Sequence, residues 1–251
     1  MQDISRGRVK GGGKGEEKGG VMAIKKEVII GDCRLILGDC TEIIDNLSYD
    51  TIVSDPPFGM AFKSNHRRAD TTHKAIANDS DVKLLQWITS LRASHSKYIF
   101  CRWDNLTDVA KPKSVVTWIK DNHSMGDLKH EHGRQTELCL FYAGENHSFP
   151  AKRPNDVVKC ARTGNNLHPT EKPVPLMQEI IKWTAGVVLD PFAGSFSTLV
   201  ACAKMGRKGI GIELDRDYFE IAVERVTKAY EQPDFLIEPQ KAKPEQDTFE
   251  L

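Results

Sequence analysis

Nowhere does the 251-residue sequence approach the roughly 20 consecutive apolar residues that a membrane-crossing helix needs. Its first residues also lack the apolar core of a secretory signal, so a cytoplasmic protein with no membrane partner is expected. C-x-x-C spacing is missing too. The six cysteines, Cys33, Cys40, Cys101, Cys139, Cys160 and Cys202, are scattered and several lie in apolar runs, which favours reduced, buried thiols over a zinc site or a disulfide framework. None of the eight histidines falls into H-E-x-x-H, and no metal is implied. Net charge is absent as well. The 35 Lys and Arg balance the 35 Asp and Glu, so the global charge offers no support for binding nucleic acid.

What is present is local. Between positions 59 and 77, Lys63, Arg67, Arg68 and Lys74 face Asp70 alone; between 151 and 172, Lys152, Arg153, Lys159, Arg162 and Lys172 outnumber Asp156 and Glu171. Acid after position 230 offsets them. Residues 1–24 are rich in glycine and charge and poor in apolar side chains, and read as a flexible leader; 233–251, with Pro233, Pro239 and Pro244, read as a flexible acidic tail. A single α/β domain over 25–232 is expected between them.

Periodicity fills in that domain. "EVIIGDCRLILGD" reads as two short strands, "CTEIIDNL" as a short helix with Thr41 as N-cap, and "YDTIVSD" as a buried strand. Val82, Leu84, Leu85, Ile88 and Leu91 share one face of a helix over 79–91, and "KYIFCRW", "SVVTWIKD" and "TELCLFYAG" read as strands. An irregular segment over 144–168 follows. A helix then carries Leu176, Met177, Ile180, Ile181 and Thr184 on one face, with its prolines at the start and Gly186 beyond its end. "VVLDPFAGSFSTLVACAKMG" and "KGIGIELDRDYFEIAVERVTKAY" each read strand, turn, helix.

Such alternation implies a mostly parallel sheet, which binds ligands outside the carboxyl ends of its strands. Asp55, Asp190 and Glu213 stand at those ends. After Asp190, the small residues Ala193, Gly194 and Ser195 let backbone approach a ligand near a helix N-terminus, while Glu213 suits a ribose diol. Together they indicate a nucleoside-containing cofactor. In "DPPF", two prolines remove two backbone donors and force the chain out of the sheet as a stiff arm. The arm presents the Asp55 carboxylate, a main-chain oxygen and the Phe58 ring, a set that suits a planar group bearing an amine.

With these motifs in place, the chain resembles the amino DNA methyltransferases that use S-adenosylmethionine (SAM), in the class whose catalytic tetrapeptide precedes the cofactor motif. "DPPF" (Asp55, Pro56, Pro57, Phe58) matches D-P-P-Y/F, "DPFAGS" the cofactor turn, "HPTEKP" the methionine-side motif, and "GIELDRDYFEIAVERV" the ribose-binding strand and helix. The segment ending in Asp39 looks like the border of the cofactor adenine. The resemblance implies a Rossmann-like seven-stranded SAM-dependent methyltransferase fold with helices on both faces. It also implies SAM contacts from Asp39, Asp55, His168, Thr170, Lys172, Asp190, Phe192, Ala193, Gly194, Ser195, Glu213 and Leu214. Phe196 departs from the family, which usually has a second glycine there; the ring either narrows the pocket or shifts the turn.

A target-recognition insertion over about 111–165 would bring Lys113, Lys120, Lys129, His130, Arg134, Lys152 and Arg153 to the phosphates of double-stranded DNA. Asp rather than Ser at position 55 points, by resemblance, to the N(6) amine of a flipped adenine. N(4) of cytosine, an RNA acceptor, and an inactive nucleic-acid-binding module are the alternatives. Relatives of this kind include homodimers, and a homodimer is compatible with the resemblance.

Overall fold

The structure is a computed structural model and describes residues 24–57, 82–121, 129–130, 132–163 and 171–231. Residues 1–23 of the expected leader, the expected tail, Phe58, His168, Thr170 and the basic cluster from Lys63 to Lys74 lie outside the described residues, whereas Ile24, counted with the leader, begins the first strand.

Nine strands form one sheet: β1 (Ile24–Ile30), β2 (Cys33–Gly38), β3 (Thr51–Ser54), β4 (Ser96–Cys101), β5 (Ser114–Ile119), β6 (Thr136–Ala143), β7 (Val157–Lys159), β8 (Val188–Asp190) and β9 (Gly209–Glu213). Their spatial order is β1-β2-β9-β8-β3-β4-β6-β5-β7. Edge strands β1 and β7 extend the expected seven to nine. Five of the eight pairings are parallel, and only β1–β2, β4–β6 and β6–β5 are antiparallel. Seven strands therefore deliver their carboxyl ends to one edge, where antiparallel β6 contributes its start.

Five helices cover the two faces: α1 (Cys40–Ile43), α2 (Lys83–Ser90), α3 (Val174–Lys182), α4 (Ser197–Lys204) and α5 (Arg216–Glu231). Successive strand side chains point to opposite faces. Leu35, Leu37, Val53, Tyr98, Phe100 and Val188 thus join the core under α3, α4 and α5. Their neighbours Ile36, Ile52, Ile99, Cys101 and Leu189 join the core under α1 and α2. Every residue of β3, β4 and β8 is buried, as expected for central strands covered on both faces.

Three local expectations need correction. Thr41 is not the N-cap of α1; Asp39 is, accepting hydrogen bonds on Oδ1 from Thr41 N at 2.9 Å and from Thr41 Oγ1 at 2.7 Å. The carboxylate reaches the second amide and hydroxyl together, an option a threonine cap lacks. The segment over 144–168 is not wholly irregular, because Val157–Lys159 forms β7 in parallel with β5. Three residues are too few to show alternation; pairing with β5 decides their state. The helix expected over 79–91 is described only over Lys83–Ser90, and the turn after β4 takes up Trp103.

Candidate active site

Strands β3 and β8 are neighbours, in register through Thr51 with Val188 and Ile52 with Leu189. Asp55, immediately after β3, therefore emerges beside the turn that follows Asp190. A side-chain bond fixes the two corners together: Ser54 Oγ donates to Asp190 Oδ1 at 2.6 Å.

Asp190 is 4% exposed, and its other contacts come from Phe192 N, at 3.2 Å to Oδ1, and from Thr198 Oγ1 to Oδ2. It ties β8, β3 and α4 into one corner. Burial pushes its carboxyl above the ordinary aspartate range, opposed by these hydrogen bonds.

The turn after it is held by bonds to β9 and by one within itself. Ala193 N donates to Ile212 O at 3.0 Å, Gly194 N to Glu213 Oε2 at 2.8 Å, and Phe196 N to Ala193 O at 2.6 Å. These amides, with that of Phe192, are thus engaged inside the protein, so the turn contributes shape and small side chains more than free donors. Ala193 and Ser195 are buried within it, and the half-buried Phe192 ring packs edge-on to Trp87 of α2, centroids 6.1 Å apart.

Phe196 resolves the question its bulk raised. It is the one non-glycine with positive φ among the described residues, at 60°, so the turn keeps the left-handed backbone that glycine would adopt without strain. Its ring is fully buried and points into the core, away from solvent. Gly211 makes the room: a Cβ there would stand 2.6 Å from the Phe196 ring. Neither a shifted turn nor an intruding ring is needed.

Glu213 ends β9. Its Oε2 holds Gly194 N, and its Oε1 accepts from Asp215 N at 2.8 Å. Each oxygen retains a lone pair for a further donor. Burial raises its carboxyl to about 7 against those amide bonds. Leu214 follows it, 36% exposed, and Asp39 stands half-buried on the same edge, just beyond the end of the neighbouring strand β2.

The Asp55 corner is different in kind. Its side chain is 12% exposed, and Oδ2 accepts from Lys172 Nζ. Oδ1 is buried without a hydrogen-bond partner among the described residues. Lys172 is 8% exposed; its Nζ also lies 2.8 Å from Glu137 Oε1 and 4.8 Å above the Phe100 ring. Lys120 takes the other oxygen of Glu137 at 2.8 Å and lies 4.8 Å over the Trp118 ring. Burial drives the Asp55 carboxyl up to about 6, the positive charge of Lys172 opposing and the negative charge of Glu137 reinforcing the rise. Burial works against the Lys172 ammonium, but Asp55 and Glu137 outweigh it and hold its pKa above the usual lysine value.

Sequence reasoning missed Glu137 altogether and placed Lys120 among the phosphate-facing cations. The structure corrects the latter, since Lys120 is 15% exposed and engaged with Glu137. No short motif flags such a pair; only the alternation of β6, which turns Glu137 to the face holding Cys139 and Phe141, carried a signal. Also unforeseen is Arg225 of α5, which donates to Ser195 O and pairs with Glu171 at 2.8 Å. It joins the turn to the segment delivering Lys172.

A doubly wound sheet with two carboxylate corners at adjacent strand ends defines an α/β enzyme with a strand-end active site, one corner built for shape and the other left chemically open. The particular family follows from comparison. Residues 49–224 match the model of the family described as DNA methylase, and the chain belongs to that N6/N4 methyltransferase family. It is 31% identical over 209 residues to YubD of Escherichia coli (strain K12), described as a methylase, covering 77% of this chain and 89% of that one. It is 24% identical over 252 residues to the type II methyltransferase M.HpaI of Haemophilus parainfluenzae, covering 85% and 80%. Among solved structures it is similar to the M1.HpyAVI–SAM complex, with TM-score 0.60, 26% identity, and 77% and 99% of the two chains covered. PvuII DNA methyltransferase (cytosine-N4-specific) shares the fold, with TM-score 0.58 at 14% identity over 79% and 91%.

Proposed function

We propose that the protein is a DNA methyltransferase that transfers the methyl group of SAM to the N(6) amine of an adenine turned out of double-stranded DNA. The open, buried Oδ1 of Asp55 carries this reading. An acceptor left without a partner in a dry corner costs roughly 1–3 kcal/mol unless a ligand donor fills it, and an exocyclic amine is such a donor. Asp55 in a D-P-P-F motif supports adenine, and the fold likeness to a cytosine-N4 enzyme keeps cytosine as the second reading.

The residues present fit the cofactor. Glu213 keeps two acceptor lone pairs beside the Gly194 turn, and Ser197 Oγ, in the first residue of α4, is another buried polar atom without a hydrogen-bond partner among the described residues. His168, Thr170 and Lys172 of the preceding motif, with Asp39, Asp190, Phe192, Ala193, Ser195 and Leu214, complete the proposed set. Bound SAM supplies an electrophilic methyl group on a sulfonium.

The protein's share of the chemistry is positioning and charge. The amine is a weak nucleophile because its lone pair is delocalised into the ring. Asp55 Oδ1 and the Pro56 carbonyl accept its two N–H bonds and favour a pyramidal nitrogen. The nitrogen lone pair would take up the methyl group that SAM supplies, and Asp55 would pass the surplus proton to solvent. Pro57 stiffens the arm and Phe58 stacks on the everted base, whose unstacking costs a few kcal/mol.

The five cysteines buried among the six free thiols suit work in a reducing cytoplasm. Among the described residues, no helix is long and apolar enough to cross a membrane. Incubation with radiolabelled SAM and duplex DNA, followed by digestion to nucleosides, tests the proposal. Label in N(6)-methyl-2′-deoxyadenosine is expected; label in N(4)-methyl-2′-deoxycytidine establishes the second reading, and no label in DNA overturns both.

A further inference from the structure

Glu137 lies outside every motif used above, yet its carboxylate is built into the reactive corner. It is the second residue of β6, the strand that runs against its neighbours and so begins at the edge where they end. Its Oε1 is 2.8 Å from Lys172 Nζ, whose other contacts are Asp55 Oδ2 and the Phe100 ring. Two carboxylates and one aromatic face thus surround the ammonium. Held there, Lys172 bonds Asp55 through Oδ2, and Oδ1 has no hydrogen-bond partner among the described residues.

Charge gives the same residue a second consequence. Asp55 and Lys172 alone form a neutral pair, a poor environment for an amine that becomes cationic as the methyl group arrives. Adding Glu137 makes the buried trio net negative. Lys120 bonds the other oxygen of Glu137, one group farther from Asp55, so its charge acts on that carboxylate more weakly than Glu137 does. Among the described residues, the other charged group facing this corner is Asp190, held by Ser54, Thr198 and the Phe192 amide.

We propose that Glu137 is a positioning residue for methyl transfer: it pins Lys172 to one oxygen of Asp55, keeps the other open for the target amine, and supplies the negative charge the transition state needs. The inference rests on the amino-methyltransferase reading and extends it to a residue that touches neither base nor cofactor.

The test is the pH profile of single-turnover methylation by the full chain. Glu137→Gln removes a like charge facing Asp55 and leaves Lys172 wholly to it. The acidic limb is expected to move to lower pH while the plateau rate falls about ten- to a hundredfold, with SAM affinity within about threefold. Glu137→Asp restores part of the plateau. Lys120→Met, which unmasks Glu137, moves the limb the opposite way, to higher pH. Unmoved limbs in both glutamine and methionine variants, or an unchanged plateau in Glu137→Gln, would overturn the proposal. A uniform loss at all pH marks a merely structural glutamate and overturns it equally. If Glu137→Gln does not fold, the Lys120→Met shift decides. If the wild type labels no DNA, the methyltransferase reading fails separately, and 13C-carboxyl titration of Asp55 in the same proteins still reads the predicted opposite shifts.

Discussion

Asp55 and Asp190 sit at the ends of adjacent strands, both nearly removed from water, and they have opposite surroundings. Asp190 receives neutral donors on both oxygens, from two hydroxyls and an amide, and is held as a structural clasp. Asp55 receives one cation on one oxygen and, among the described residues, no donor on the other. Similar burial therefore gives one carboxylate that organises and one that remains available to react. The satisfied acid ties the strands together, and the unsatisfied acid is the one proposed to meet the target amine.

The most severe test of this contrast is removal of the open acid. Asp55→Ala is expected to lower the methylation rate by about a thousandfold or more, while calorimetry finds most SAM affinity intact; a large loss of SAM binding would make Asp55 a clasp like its neighbour. Asp190→Ala should do the reverse. It leaves three buried donors without an acceptor, and thermal or urea unfolding should show a loss of about 2–4 kcal/mol, with the rate at saturating SAM within tenfold of wild type.

Phe196 sharpens the comparison at smaller scale. Phe196→Gly relieves about 1–2 kcal/mol of left-handed strain but forfeits about 3–5 kcal/mol of ring burial, so the protein should lose about 2 kcal/mol. Gly211→Ala should destabilise the wild type by about 1–3 kcal/mol and cost less in the Phe196→Gly background, where the colliding ring is gone and only the Leu199 side-chain tip, 2.9 Å from the new Cβ, must shift. Equal costs in both backgrounds would refute that pairing.

The smallest effects concern pH. Asp55 must be ionised to accept the amine, so the rate should decline as pH falls through about 6. Glu213, raised to about 7 by burial, accepts donors best when charged, and SAM affinity should weaken as pH drops below that value. Glu213→Gln should flatten the second dependence, measured by calorimetry between pH 6 and 8, and leave the first in place.

Much of this was legible in the residues themselves. The strand-turn-helix repeats of the last third are periodic and long, and their folded boundaries follow the pattern closely. Asp55, Asp190 and Glu213 were found because each follows an apolar run that can only be a buried strand, and Pro56–Pro57 can only leave a sheet. β7 was not legible, since three residues show no period. Nor was the capping role of Asp39, which depends on where α1 starts by one residue.

The sequence by itself determined the parallel α/β plan and the two acidic corners, because hydrophobic period and proline stereochemistry act within a few residues of the chain. Only the tertiary structure decided which corner is satisfied and which is open. That difference rests on Ser54, Thr198, Lys172 and Glu137, which converge on the two acids from β3, α4, the segment before α3, and β6. Electrostatic partnership depends on distance through space and on exclusion of water, and neither is written in the spacing of residues along the chain.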